Sequence, residues 1–249
     1  MKSLLLGVLL CAALCVAPVS AGEPPLLVVF EDYPPYEYVE NGRARGINID
    51  LIREAFRRMG LEPVFELRPW KRALLEMRRG EVMALSSGFR TPEREAFACF
   101  PSEPLAMEIN VVAVPVDSEL CMSSLGELRG LSVGVVREYT YGPEFDSLRS
   151  IRRVETNTSR QLLEMLLNGR MDAAVGNRAV FDHQLGLLGA AGRLRYLYEL
   201  GRGPLYMFFS RAWGERAGSR DVEAMARDFG RAVRAMRDDG TFAAIRARY

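Results

Sequence analysis

Two short segments carry residue types that suit binding chemistry. Ser86-Ser-Gly-Phe-Arg-Thr-Pro-Glu-Arg94 places small hydroxyls and a glycine where backbone N–H groups stay accessible. Thr91 can cap a helix whose first residue is Pro92. The N-terminus of such a helix favours an anion, and Arg94, one turn in, can grip a carboxylate with two parallel hydrogen bonds. The competing reading leaves Arg90 and Arg94 as solvated surface arginines. Glu31-Asp-Tyr-Pro-Pro-Tyr36 is the second segment. Its prolines stiffen the chain and hold Tyr33 and Tyr36 as walls for a small ligand, or simply as core tyrosines of a rigid loop.

Other patterns fail on context. Gly130-Leu-Ser-Val-Gly134 matches a nucleophile elbow, but that turn needs a strand before it and a helix after it. Here a strand begins inside the motif. The only histidine, His183, falls in the middle of a helical segment. One histidine and distant cysteines offer no zinc spacing. There is no phosphate-binding glycine motif. The expectation is therefore no catalytic residues, no metal and no cofactor.

The elements that must position these segments alternate in type. Strands are expected at 26–30, 63–67, 82–87, 108–115, 131–136, 153–155, 172–176, 194–200 and 206–210. Helices are expected at 46–60, 70–79, 159–167, 178–188, 221–238 and 242–248. In the first helix Ile52, Ala55, Phe56 and Met59 share one face, and Gly60 supplies its stop. Thr158-Ser-Arg-Gln161 reads as a capping box. The pattern is α/β, in two similar halves that suggest two lobes with a ligand cleft between them. Both candidate segments follow strands, at the carboxyl ends where open α/β sheets bind ligands.

The chain has 249 residues, 33 basic and 32 acidic, with a formal charge of +1. That balance shows no nucleic-acid footprint. Residues 1–21 read as a cleavable secretory signal: Lys2, an apolar run from Leu4 to Val16, then small residues at Val19 and Ala21. Leu10 and Leu14 precede Cys11 and Cys15, where a lipid-attachment motif needs a small residue. Cys99 and Cys121 remain beyond the signal. They either pair in an oxidising compartment or stay as two separate thiols.

From Tyr33 to Tyr249 the chain resembles the family 3 periplasmic solute-binding proteins, the polar amino-acid type that serves ABC importers. The resemblance rests on six segments in order: Tyr33-Pro-Pro-Tyr36 with Asn41-Gly and Gly46-Ile-Asn-Ile-Asp-Leu51; Ser87 to Arg94; Phe100-Pro-Ser-Glu-Pro104; Leu125-Gly-Glu-Leu-Arg-Gly-Leu-Ser-Val-Gly134; Gly169-Arg-Met-Asp-Ala-Ala174; and Asp239-Gly-Thr-Phe-Ala-Ala-Ile-Arg-Ala-Arg-Tyr249.

It implies a two-lobed type II periplasmic-binding fold hinged on two crossing strands. Lobe 1 would hold residues 22–111 plus 205–249, and lobe 2 residues 112–204. Tyr33 would be the aromatic wall, Ser86 and Ser87 would supply hydroxyl and backbone groups, and Arg94 would clamp an α-carboxylate. Tyr139 and Thr140 would meet that carboxylate from lobe 2, while Trp70 is either a second wall or a core residue. Asn177 stands where amino-acid binders usually carry an aspartate for the ligand ammonium. Phe30 replaces an aspartate of some relatives, and Phe89 a hydroxyl of many. Glu138 occupies a position that is often glycine, and its carboxylate is the candidate for the missing cationic contact. The implied protein is a periplasmic monomer that meets a small solute and an ABC permease at the inner membrane. The other two readings are a cyclohexadienyl-type dehydratase and a sensor for a receptor.

Overall fold

The computed structural model describes residues 25–216 and 221–249; the expected signal at 1–21 lies outside them. The first half builds β1 (Leu27–Phe30), β2 (Tyr38–Glu40), β3 (Arg43–Arg45), α1 (Ile47–Arg58), β4 (Val64–Leu67), α2 (Trp70–Arg78), β5 (Ala84–Leu85), α3 (Pro92–Glu95) and β6 (Ala98–Cys99). A long strand, β7 (Ala106–Pro115), leads into a 3₁₀ turn, β8 (Ser132–Val136), α4 (Pro143–Asp146), β9 (Arg152–Thr156), α5 (Ser159–Leu167), β10 (Ala173–Asn177) and α6 (Arg178–Leu187). The chain returns through β11 (Leu194–Leu205) to β12 (Phe208–Ser210), α7 (Arg211–Arg216), α8 (Val222–Asp238) and α9 (Thr241–Arg246).

Two five-stranded sheets result, in the orders β4-β1-β5-β12-β6 and β11-β7-β10-β8-β9. In the first, β1 runs parallel to β4 and β5, and the returning β12 is antiparallel to β5 and β6. In the second, β8 runs parallel to β9 and β10, while β7 is antiparallel to β10 and β11. The molecule is thus two-lobed, and β7 and β11 pair with each other along the stretch that crosses between the lobes.

Helix α8 closes the first lobe. Val222, Met225, Ala226, Phe229, Val233 and Met236 are buried along one face, the spacing of an amphipathic helix. Phe229 packs at 5.8 Å from both Phe56 of α1 and Phe209 of β12. The last segment of the chain therefore completes the core that the first segment began.

Several expectations change in detail. The hairpin of β2 and β3 has no counterpart among the expected strands. It turns at Asn41 and Gly42, both at positive φ (50° and 72°), as a tight hairpin turn requires, but its strands are short and mostly exposed. Strand β11 runs five residues past the expected 200. Gly201, Gly203 and Pro204 read as breakers, yet the strand pairs on to Leu205 opposite Ala106, with irregularities at 196–198 and 199–201. It lies at the sheet edge, where a proline is tolerated. At 158–161 Thr158 Oγ1 accepts from the Gln161 N–H at 3.1 Å, but Gln161 Oε1 accepts from Asn157, one residue earlier than a capping box would have it. Cys99 is buried in β6 and Cys121 is exposed in a loop of the second lobe, and both are free thiols.

Candidate functional site

The loop after β1 folds back on itself. Tyr33 N–H donates to the Glu37 carbonyl at 2.7 Å, and Glu37 N–H returns a bond to Tyr33 at 3.1 Å. The Pro34–Pro35 bond is cis. The turn stacks Tyr33 on Tyr36 with ring centres 5.9 Å apart and buries Tyr33, whose hydroxyl donates to Glu108 Oε2 at 2.9 Å. Tyr33 is therefore both a packed tyrosine and a cavity wall.

Helix α3 has the cap that its sequence requires, with Thr91 Oγ1 accepting from Arg94 N–H at 3.4 Å. The two arginines of this segment then diverge. Arg90 is exposed and pairs with Glu95. Arg94 is only 6% exposed. Its Nη1 donates to the Phe89 carbonyl at 2.8 Å, and its guanidinium lies 5.0 Å from the Trp70 ring centre. Gly88 makes room for this stack: a Cβ there would sit 2.8 Å from the Phe208 ring, 3.1 Å from Trp70 and 3.3 Å from Arg94 Nη1. Trp70 is mostly buried, but it too lines the cavity.

The facing wall comes from the turn after β8. Glu138 takes a left-handed conformation at φ 65°, and its carbonyl accepts from Trp70 Nε1 at 3.1 Å, a bond between the lobes. Tyr139 meets Tyr33 and Trp70 edge-on at 6.1 and 6.0 Å. The Thr140 hydroxyl is buried without a partner.

These groups enclose a cavity of about 30 Å³. Of the expected residues, Tyr33, Trp70, Ser87, Arg94, Tyr139 and Thr140 line it. Ser86 is buried at the end of β5 and does not. Asn177 is buried at the start of α6, where its Oδ1 accepts from Val180 N–H at 3.1 Å and its Nδ2 has no partner. Glu138 corrects an expectation: its side chain is exposed and contributes no carboxylate to the cavity. The left-handed backbone at 138 explains why glycine suits this position.

The site contains acids that the sequence reading does not single out. Glu31 and Glu108 line the cavity, and Glu37 lies behind Ser87, whose hydroxyl is 3.2 Å from both its oxygens. Burial raises Glu37 and Glu108 to about 7, against the hydroxyls of Ser86 and Ser87 beside the first and of Tyr33 beside the second. Burial also holds Glu31 well above the usual carboxylate range, with the Tyr139 hydroxyl offsetting part of the effect. Arg94 is pushed down to about 10 by burial, against the pull of Glu108 and Glu31, and so stays charged at neutral pH. A glutamate inside the apolar strand at 108–115 was the available signal, since such a residue is rarely buried without a partner.

Among the described residues no group of three or more His, Cys, Asp or Glu could hold a metal ion, and no helix is long and apolar enough to cross a membrane.

The sequence model of the bacterial extracellular solute-binding proteins, family 3, matches residues 26–249. No curated protein matches the chain in sequence. Among solved structures, a histidine kinase sensor domain with similarity to periplasmic binding proteins superposes with a TM-score of 0.78 at 22% identity, over 90% of this chain and 95% of that one. An ancestral arginine-binding protein bound to arginine gives 0.76 at 21%, over 90% and 97%. The arginine-, lysine-, histidine-binding protein ArtJ from Geobacillus stearothermophilus gives 0.74 at 20%, over 91% and 95%. At these identities the likeness concerns the fold.

Proposed function

Because the chain belongs to the bacterial extracellular solute-binding proteins of family 3, we propose that it captures a small carboxylate-bearing solute in the cleft at Arg94 and delivers it to an ABC-type importer. One observation carries this reading: a guanidinium buried to 6% exposure forms no ion pair among the described residues and borders the cavity between the lobes. Burying a charge without a partner is costly, and a solute carboxylate would offset that cost through paired hydrogen bonds. Tyr139 and Thr140 from the second lobe would reach the same solute only when the lobes meet, so binding favours closure about β7 and β11. The arginine bound to one structural neighbour supports an amino acid as the solute class.

In this reading the protein is a carrier with no catalytic step. It works as a monomer in the periplasm, exported by the segment at 1–21. A second reading, a sensor that passes its bound state to a receptor, is favoured by the histidine kinase sensor domain among the neighbours.

The test is thermal unfolding of protein freed of bound solute by unfolding and refolding, against amino acids, their decarboxylated amines and amine-free carboxylates. A solute at a hundred times its Kd adds about 2.7 kcal/mol, a rise of roughly 5–10 °C for a chain of this size. The rise is expected with carboxylate-bearing solutes and is expected to vanish in Arg94→Ala. Shifts with amines alone would remove the carboxylate clamp.

A further inference from the structure

The cavity at Arg94 holds only the head of a solute. Its volume of about 30 Å³ admits a group or two of water size, enough for a carboxylate and little more. With the lobes in this arrangement the rest of the molecule must lie outside, and the lining shows where. Phe89, Tyr139 and Thr140 border this space and also a groove of about 1110 Å³ that runs between α3 and α4, a size that accommodates a drug-sized ligand. The lobes already touch beside it, where Trp70 Nε1 donates to the Glu138 carbonyl. The groove is therefore open while the lobes are in contact, and a tail lying in it would not obstruct closure.

The crossing strands lead from one space to the other. On β7, Glu108 lines the cavity and Asn110, two residues on, lines the groove. Residues at that spacing share a face of the strand, roughly 7 Å apart. Their partners in register on β11 are Gly203 and Gly201, so no side chain stands opposite them. These are the glycines that read as breakers in the sequence. Phe89 lies over Gly203, where a Cβ would sit 2.8 Å from its ring. The main chains of Gly88 and Tyr206 hold it there, exchanging hydrogen bonds at 3.0 and 2.9 Å.

The groove offers one buried polar contact among aromatic and proline surfaces. Asn110 is 3% exposed and its Oδ1 has no partner, a cost that a donor entering the groove would remove. Phe89, Pro92 and Tyr206 from the first lobe and Tyr141 and Pro143 from the second supply apolar surface. Most of its charges are engaged elsewhere: Arg90 with Glu95, Arg202 with Glu199, Arg153 with three main-chain carbonyls, and Asp146 with the N–H groups of Tyr141 and Gly142. Arg149 and Glu93 are exposed. The groove therefore asks for a neutral donor followed by apolar bulk, with no second charge.

We infer that this groove receives the tail of the solute, and that the solute is an N-acylated amino acid: its carboxylate at Arg94, its amide N–H donated to Asn110 Oδ1, and an apolar or aromatic acyl group against Phe89 and Tyr206. The inference rests on the proposed capture of a carboxylate by Arg94 and adds what the rest of the molecule is. A neutral amide also suits the acids of the cavity. Burial holds Glu31 and Glu108 above the usual carboxylate range, and a protonated carboxyl can donate to an acyl carbonyl.

The experiment is calorimetric titration of solute-free protein with the proteinogenic L-amino acids and with their N-acetyl and N-benzoyl derivatives, in wild type, Asn110→Ala, Tyr206→Ala and Arg94→Ala. The expected result is that the best N-benzoyl amino acid binds the wild type about 30-fold or more tighter than its free parent, through the apolar area its ring buries, with the N-acetyl form between them. Asn110→Ala should cost the acylated solutes about 5- to 10-fold, one hydrogen bond, and Tyr206→Ala should cost the benzoyl form a similar factor and the acetyl form little. Free amino acids binding as tightly as their acylated forms, an acyl advantage that survives both groove variants, or no binding by any acylated solute would each overturn the inference. If neither groove variant folds, the wild-type ranking decides alone. Should Arg94→Ala abolish binding while both groove variants keep the wild-type ranking, the carboxylate clamp stands and the groove site fails. Should Arg94→Ala keep its affinity for the benzoyl form while the groove variants lose theirs, the clamp fails and the groove site stands.

Discussion

The two walls of the cleft are built from different chemistry. The first lobe and the start of β7 present Glu31, Arg94 and Glu108, all ionisable, with Glu37 behind them. The second lobe presents Tyr139 and Thr140, which are neutral. In the proposed reading the difference follows from what each wall would do. Charged groups would hold a solute on one lobe before closure. Neutral hydroxyls and aromatic edges would add contacts that exist only when the lobes meet, biasing the equilibrium toward the closed form.

Breaking the charged wall should have the largest effect. Arg94→Ala should weaken solute binding more than about 100-fold, because a charge-assisted, buried contact is lost and the solute carboxylate is left without its partner; titration calorimetry would read this directly. Next comes pH. Glu37 and Glu108 sit at about 7 in the folded protein against an ordinary carboxylate value of 4.5. Between those values the folded state holds protons that the unfolded state has released. The stability of the solute-free protein should therefore fall as pH rises from about 5 to 8, by on the order of 3 kcal/mol for each group. Melting temperatures across that range check it, and Glu108→Gln should flatten the decline.

The neutral wall should respond more weakly. Thr140→Val should lower affinity about 3- to 10-fold, the loss of one hydroxyl contact. It should leave the solute-free protein as stable or slightly more so, since the Thr140 hydroxyl is buried without a partner. The smallest effect is expected just outside the cleft. Glu138→Gly should leave affinity unchanged and raise stability by about 0.5–1 kcal/mol, because the left-handed backbone at φ 65° suits glycine better than glutamate. A large loss of affinity in this variant would return the Glu138 carboxylate to the site.

What can be read in the chain depends on how local its cause is. Helix α5 lies where its cap and apolar spacing put it, at Ser159–Leu167. The cap at Thr91 likewise forms from residues adjacent in sequence. Strand β11 looks shorter in sequence because glycines and a proline are local breakers, whereas its full length comes from pairing with β7. The acids are harder still. Glu31 stands inside a segment already singled out, and Glu108 in a strand already drawn, but their raised values come first from burial, to which the neighbouring Glu37 and Glu108 add for Glu31. Glu138 is the opposite case. Its position suggests a carboxylate in the cleft, and a left-handed turn sends the side chain outward and leaves its carbonyl to Trp70.

The sequence by itself determined the alternation of strands and helices, the two lobes, the family, and the arginine segment with its capped turn. Those depend on periodicity, caps and motifs that act over a few residues or recur along the chain. Only the tertiary structure decided which charges share a space. Glu108 reaches Tyr33 across 75 positions of sequence, and Trp70 reaches the Glu138 carbonyl across 68. Electrostatics in a closed cleft depends on distance and water exclusion, and neither is written in the order of the residues.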